Sequence, residues 1–196
     1  MKYILSSHNE HQEPVVYWEN GFNSQELDWL QSIARESKKT AEVGLTNGAV
    51  VPSKRRSQVS WLSVTNETRW VYEKLSHIVS TINAQYFRYD LSGFGEDIQM
   101  TNYNSNEHGM YGWHVDYGRE TSEPCRKLSI VLQLSDPSEY EGGNIQFKVF
   151  SDEVITARKQ RGLILAFPSW TIHQVTPVTS GNRQSLVSWI TGPAFK

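Results

Sequence analysis

The chain has 196 residues, with 19 Lys and Arg against 21 Asp and Glu and a formal net charge of -2, so no global field draws it to nucleic acid or to an anionic membrane. Hydrophobic residues make up 38%, aromatic residues 12% and charged residues 20%, which excludes large-scale disorder and suits one domain with a substantial buried core. Cys125 is the single cysteine; no internal disulfide can form, and a reducing, intracellular setting fits best.

Residues 1–8 hold too short an apolar run for a signal peptide, and no stretch approaches the roughly 20 apolar residues of a bilayer span. A cytoplasmic protein without a membrane partner is expected. His8 and His11 read as part of a polar terminus rather than as a metal site. Val15-Val16-Tyr17-Trp18 reads as a short strand closed by the turn Asn20-Gly21. A helix follows: Asn23 can cap it, Glu26 three residues later completes a capping box, and Phe22 can staple onto Leu27. The segment 37–56 is polar, Gly-containing and irregular, and is predicted to be a long surface excursion of the kind that serves as a binding loop or lid. Its basic triplet Lys54-Arg55-Arg56 reads first as a solvated charge run.

A second helix is predicted over 67–86, where Trp70, Val71, Leu75, Ile78, Val79, Ile82 and Tyr86 form an apolar stripe that leaves His77 exposed. The chain then switches to strand-like runs at 87–91, 97–104, 113–117, 128–134, 144–149, 154–157, 163–167, 173–175 and 183–190, punctuated by Gly, Pro, Asn and Asp. Two helices followed by many short strands predict a mainly β protein with helical support, α+β in class. The core would be a double-stranded β-helix or jelly roll of cupin-like kind, with support from about 1–86 and the core over about 87–196.

Within this frame, Tyr111-Gly112-Trp113-His114-Val115-Asp116-Tyr117 stands out. A strand's period of two puts His114 and Asp116 on one face. Taken alone, the pair is as readily a hydrogen-bonded couple as two metal ligands. His173 supplies a third ligand, and two histidines with one carboxylate make the facial triad that holds non-haem Fe(II) and leaves three positions open. Arg183 follows ten positions later; its guanidinium fork near an open iron site suits a dicarboxylic co-substrate. Order and spacing together favour chemistry over coincidence. Alternation also predicts that Gln99, Thr101 and Tyr103 share an inner face, as do Arg183, Ser185, Val187 and Trp189.

From about 97 to 193 the chain resembles the catalytic core of the prolyl 4-hydroxylase-like branch of the 2-oxoglutarate and Fe(II)-dependent dioxygenases. The matching words are His114-x-Asp116, Leu132-Gln133-Leu134-Ser135-Asp136, Tyr140-Glu141-Gly142-Gly143-Asn144, Gly162-Leu163-Ile164-Leu165-Ala166-Phe167-Pro168, and His173-x-Val175-x-Pro177-Val178-Thr179-x-Gly181-x-Arg183-x-Ser185. The resemblance implies the jelly roll, and Fe(II) held by His114, Asp116 and His173 as the catalytic group. It implies 2-oxoglutarate and O2 as co-substrates, with the distal carboxylate on Arg183 and Ser185 and Tyr103 alongside, and ascorbate as reductant. On the substrate side it points to Arg55, whose place Arg56 fills equally well, and to Arg126 and Trp189. Asn144 stands where relatives usually carry Glu. The implied reaction is hydroxylation of an unactivated C–H bond, first of all in a prolyl residue of a peptide or protein, with succinate and CO2 as co-products. Alternatives are a free amino acid, another small molecule or a nucleobase as substrate, or a non-catalytic cupin-like metal-binding protein. The nucleobase reading lacks the further Arg that follows Arg183 in such enzymes. No nucleic-acid partner is expected, and a monomer is the default.

Overall fold

The computed structural model describes residues 14–41, 51–117, 125–149 and 153–194; His8, His11 and Asp152 lie outside them. Strand β1 (Val16–Trp18) leads to helix α1 (Ser24–Arg35), strands β2 (Lys39–Thr40), β3 (Arg55–Arg56) and β4 (Gln58–Leu62), and helix α2 (Arg69–Ile82). Then come β5 (Gly93–Phe94), β6 (Ile98–Asn104), β7 (Met110–His114), β8 (Cys125–Gln133), β9 (Tyr140–Gly142), β10 (Ile145–Lys148), β11 (Val154–Thr156), β12 (Ile164–Pro168), β13 (Ile172–Val175) and β14 (Val178–Gly192).

The strands form two antiparallel sheets. The larger runs β1-β12-β8-β14-β6-β4-β2, with β5 and β9 also on β14; the smaller runs β11-β10-β13-β7-β3. Period-two alternation in β8 explains how the layers assemble. Leu128, Ile130 and Leu132 turn to one core, where they meet Leu30 of α1 and Leu75, Ile78 and Ile82 of α2. Val131 turns the other way, into a second core where Tyr103 and Phe167 of the larger sheet meet Ile145, Phe147 and Val175 of the smaller. Each fully buried side chain of this kind contributes about 1.5–3 kcal/mol relative to exposure. The expected jelly roll with helical support is the observed architecture, and the space between its two sheets holds the site.

Helix α1 begins as predicted: the Asn23 side chain accepts from the Glu26 N–H at 2.9 Å, and Glu26 accepts from the Asn23 N–H at 2.8 Å. Other elements depart from expectation. Within the predicted excursion at 37–56, the described residues 37–41 and 51–56 are tied to the sheets, since β2 pairs with β4 and β3 pairs with β7. Helix α2 passes into a π-turn over Asn83–Phe87, and Arg88 leaves it in the left-handed region with φ 53°. This wide turn shifts the register by one residue, so Phe87 is buried and Tyr86, predicted to be core, is exposed. The predicted strand at 87–91 is therefore absent; the next strand is β5. The predicted strand at 113–117 lies further back, as β7 ends at His114.

Candidate metal centre

Strand β7 ends on His114, and the chain beyond it is pinned by the N–H groups of Asp116 and Tyr117, which both donate to the Ser169 carbonyl at 2.9 Å. On the neighbouring strand β13, His173 pairs directly with His114. The Asp116 carboxylate is thereby brought between two imidazoles, with Oδ1 3.4 Å from His114 Nε2 and Oδ2 3.5 Å from His173 Nε2. Among the described residues, these three form the one group of three or more His, Cys, Asp or Glu placed to hold a metal, with their ligand atoms all within 4.8 Å of one another.

The hydrogen bonds fix the state of each imidazole. His114 Nδ1 lies 2.8 Å from the Gly112 carbonyl, and His173 Nδ1 lies 2.9 Å from that of Thr171. A carbonyl only accepts, so each Nδ1 carries a proton and Nε2 is the nitrogen each ring can offer to a ligand. Burial pushes His173 down to about 4, against the opposing pull of Asp116. Burial alone would raise the Asp116 carboxyl, but His173 and His114, with the Trp189 indole in support, outweigh it and hold the carboxyl well below its usual range. At neutral pH the centre is thus one carboxylate and a neutral His173 imidazole, a donor set that suits Fe(II).

Arg183 lines the same cavity. It is 2% exposed, its Nη1 donates to Ser185 Oγ at 3.4 Å, and its guanidinium lies 5.4 Å from the centre of the Tyr103 ring. Its Nη2 is buried with no hydrogen-bond partner, and so is the Trp189 indole N–H, which makes no full hydrogen bond. A buried cation with an unused donor is costly unless an anion completes it. Arg183, Ser185 and Tyr103 could therefore hold the distal carboxylate of a dicarboxylic ligand, and the open positions of the triad could take its other end.

Register decides between the two basic neighbours, Arg55 standing opposite Tyr111 and Arg56 opposite Met110. Arg55 is buried in the cavity wall, its Nε donating to Ser57 Oγ at 2.9 Å and its guanidinium lying 4.6 Å from the centre of the Tyr111 ring. Arg56 turns away, to the carbonyls of His108 and Pro52. Trp189 lines the cavity, whereas Arg126 stacks on the Trp189 ring at 3.9 Å, pairs with Glu96 at 2.5 Å, and reaches the Asp116 carbonyl at 3.3 Å without lining the cavity.

Two neighbours of the triad escape a reading of the sequence alone. Tyr111 stacks on His114 with ring centres 3.5 Å apart and planes 14° apart. Ser129 donates to Asp116 Oδ2 at 2.8 Å. Ser129 carries a faint signal, as a small polar residue in phase with Val131 inside the otherwise apolar run 128–132. Tyr111 carries none beyond its place three residues before His114.

The sequence profile of the 2OG-Fe(II) oxygenase superfamily matches residues 98–191, which contain the triad and Arg183. This segment of the chain is similar to 2OG-Fe(II) oxygenase domains. Its relatives are of the prolyl 4-hydroxylase-like kind. A PKHD-type hydroxylase of Synechococcus sp. strain CC9605 is 40% identical over 80 residues, covering 41% of this chain and 36% of the relative. Another, from Synechococcus elongatus, is 32% identical over 129 residues, covering 64% and 57%. The chain thus spans 36% and 57% of the length of these two curated relatives. A solved Pseudomonas putida prolyl-4-hydroxylase superposes with a TM-score of 0.71 at 17% identity, over 92% of this chain and 94% of that one. A Trichoplax adhaerens prolyl hydroxylase, in complex with a peptide fragment of the hypoxia inducible factor oxygen degradation domain, gives 0.75 at 14% identity, over 91% and 83%. At these identities the structures establish a shared fold. Among the described residues, no helix is long and apolar enough to cross a membrane.

Proposed function

We propose that the protein is an Fe(II)- and 2-oxoglutarate-dependent dioxygenase that hydroxylates a prolyl residue in a peptide or protein. The observation that carries this reading is the buried Arg183 guanidinium with an unused N–H, set in one cavity with a His-Asp-His triad. His114 and His173 would hold Fe(II) through Nε2, and Asp116 through its carboxylate. Bound there, Fe(II) would supply the activation of O2 that, with a 2-oxo acid converted to succinate and CO2, hydroxylates an unactivated C–H bond.

The remaining work falls to the protein's own side chains. Arg183 orients the co-substrate through its distal carboxylate, Ser185 and Tyr103 flank that contact, and Val131 and Val187 in the cavity wall keep water out. Arg55 and Trp189 border the substrate side, with Arg126 bracing Trp189 from behind its ring. The prolyl substrate is supported by the PKHD-type relatives and by the two prolyl hydroxylases that share the fold.

The test is a panel of proline-containing peptides incubated with Fe(II), 2-oxoglutarate and ascorbate, read by mass beside an Asp116→Ala control. A one-oxygen mass gain on a prolyl residue, absent in the control, is the expected result. Succinate formation that no peptide stimulates, with no peptide oxidised, would discard the prolyl substrate and keep the oxygenase.

A further inference from the structure

We infer that Ser129 is a positioning residue that makes Asp116 a one-oxygen metal ligand, with Ser169 acting through it. The inference rests on the reading of the triad as a metal site and adds how its carboxylate is controlled.

Ser129 and Ser169 are both fully buried. Ser129 Oγ lies 2.8 Å from Asp116 Oδ2 and 3.0 Å from Ser169 Oγ. Ser129 donates to Asp116 Oδ2 and so spends its single proton there. In the contact between the two serines, Ser169 is then the donor. The chain therefore has one direction, from Ser169 Oγ–H to Ser129 Oγ to Asp116 Oδ2, and each bond in it polarises the next.

Backbone pairing makes the arrangement rigid. The Ser169 carbonyl accepts from the N–H groups of Asp116 and Tyr117, and the Ser169 N–H donates to the Lys127 carbonyl at 3.0 Å. Strand β8, the turn after β12 and the ligand segment after β7 are thus tied at one point. With Oδ2 engaged by a hydroxyl, Oδ1 is the oxygen left to coordinate. An ion held through one carboxylate oxygen would leave more room for a two-point 2-oxo acid and O2 than one held through both.

The test is titration of the full-length protein with Co(II), followed by the visible absorption of the bound ion. On the precedent of residues that orient metal ligands, Ser129→Ala should weaken Co(II) binding by about 10–100-fold, and should shift the absorption bands as the second oxygen of Asp116 is released. Ser129→Thr, which restores the hydroxyl, should recover the wild-type bands and most of the affinity. A purely structural role would lower thermal stability without moving the bands. A folded Ser129→Ala protein with wild-type affinity and wild-type bands overturns the proposal. If that variant loses its native circular dichroism, Ser169→Ala decides, because it leaves the Ser129 contact in place: weaker binding supports the chain, and unchanged binding overturns it. Failure of the wild-type protein to bind Co(II) overturns the metal-site reading itself, and is distinguished by appearing before any substitution is made.

Discussion

At the scale of single residues, Arg183 carries the most chemical information. It is buried beside Tyr103 and Ser185 with its Nη2 unpartnered, a state that favours binding over stability. Arg183→Met should weaken 2-oxoglutarate binding by at least about 10-fold, since a charge-assisted fork is lost, while metal affinity stays near wild type. Its ligand-free melting temperature should hold or rise, because an incompletely paired buried cation is replaced by an apolar chain. Calorimetric titration with 2-oxoglutarate and a thermal melt check both halves; unchanged 2-oxoglutarate affinity would remove Arg183 from its role. His173 gives a pH prediction. Its folded value of about 4 lies below the ordinary 6.5, so between those values the unfolded chain binds more protons than the native one, and metal-free stability falls as pH is lowered through that window. Asp116, held lower still, loses its contribution only at more acid pH. Melting temperatures of the metal-free protein from pH 7.5 to 4 should drop less steeply in His173→Gln than in wild type, and equal slopes would refute the assignment. His114, Asp116, His173 and Arg183 were legible in the sequence because charged and ligating residues at fixed spacing inside strands are informative by type. Arg55 could not be told from Arg56, because the choice depends on how two residues of β3 register against β7. Ser129 and Tyr111 take on meaning only once distant strands are paired.

At the scale of elements, the capping box of α1 and the inner faces of β6 and β14 followed from local rules. Period two places Arg183, Ser185, Val187 and Trp189 on the cavity side and Leu186 and Ile190 against the helices. The misread elements share a physical cause. A π-turn at the end of α2 adds one residue to a turn that the apolar stripe cannot register, which displaced Tyr86 by Phe87 and erased the predicted strand after it. Strands as short as β2 and β3 have too few residues for a period, and exist only because β4 and β7 offer edges to pair with. The long strand β14 continues N-terminally past its predicted start, through Gly181 at φ 69°, and pairs there with β9 across a register shift. A Cβ on Gly181 would collide with the Glu139 carbonyl. Gly181→Ala should therefore destabilise the fold by more than the roughly 1 kcal/mol of a left-handed residue alone, read as a lower urea midpoint. A midpoint equal to wild type would show that the β9–β14 crossing yields without cost.

At the scale of the whole molecule, the two cores divide the labour. One joins α1 and α2 to the outer face of the larger sheet, and the other fills the space between the sheets up to the metal triad. Strands from the first third of the chain enter both sheets: β1, β2 and β4 extend the larger, and β3 extends the smaller. The cavity wall therefore depends on Arg55 from an early strand as well as on residues of the segment 98–191 that the oxygenase profile matches. Such a site should close co-operatively on its ligands. Fe(II) or Mn(II) together with 2-oxoglutarate should raise the melting temperature by more than the separate shifts add up to, because the metal supplies one end of the co-substrate's binding site and Arg183 the other; strictly additive shifts would mean that the two do not share a site. The most direct measurement is conversion of 2-oxoglutarate to succinate, followed by proton NMR with Fe(II), ascorbate and oxygen, in the wild type and in Asp116→Ala. Succinate formed by the wild type and lost in the variant is the predicted result. Wild-type protein that binds metal and 2-oxoglutarate yet forms no succinate, with or without proline-containing peptides, would contradict the assignment of an oxygenase.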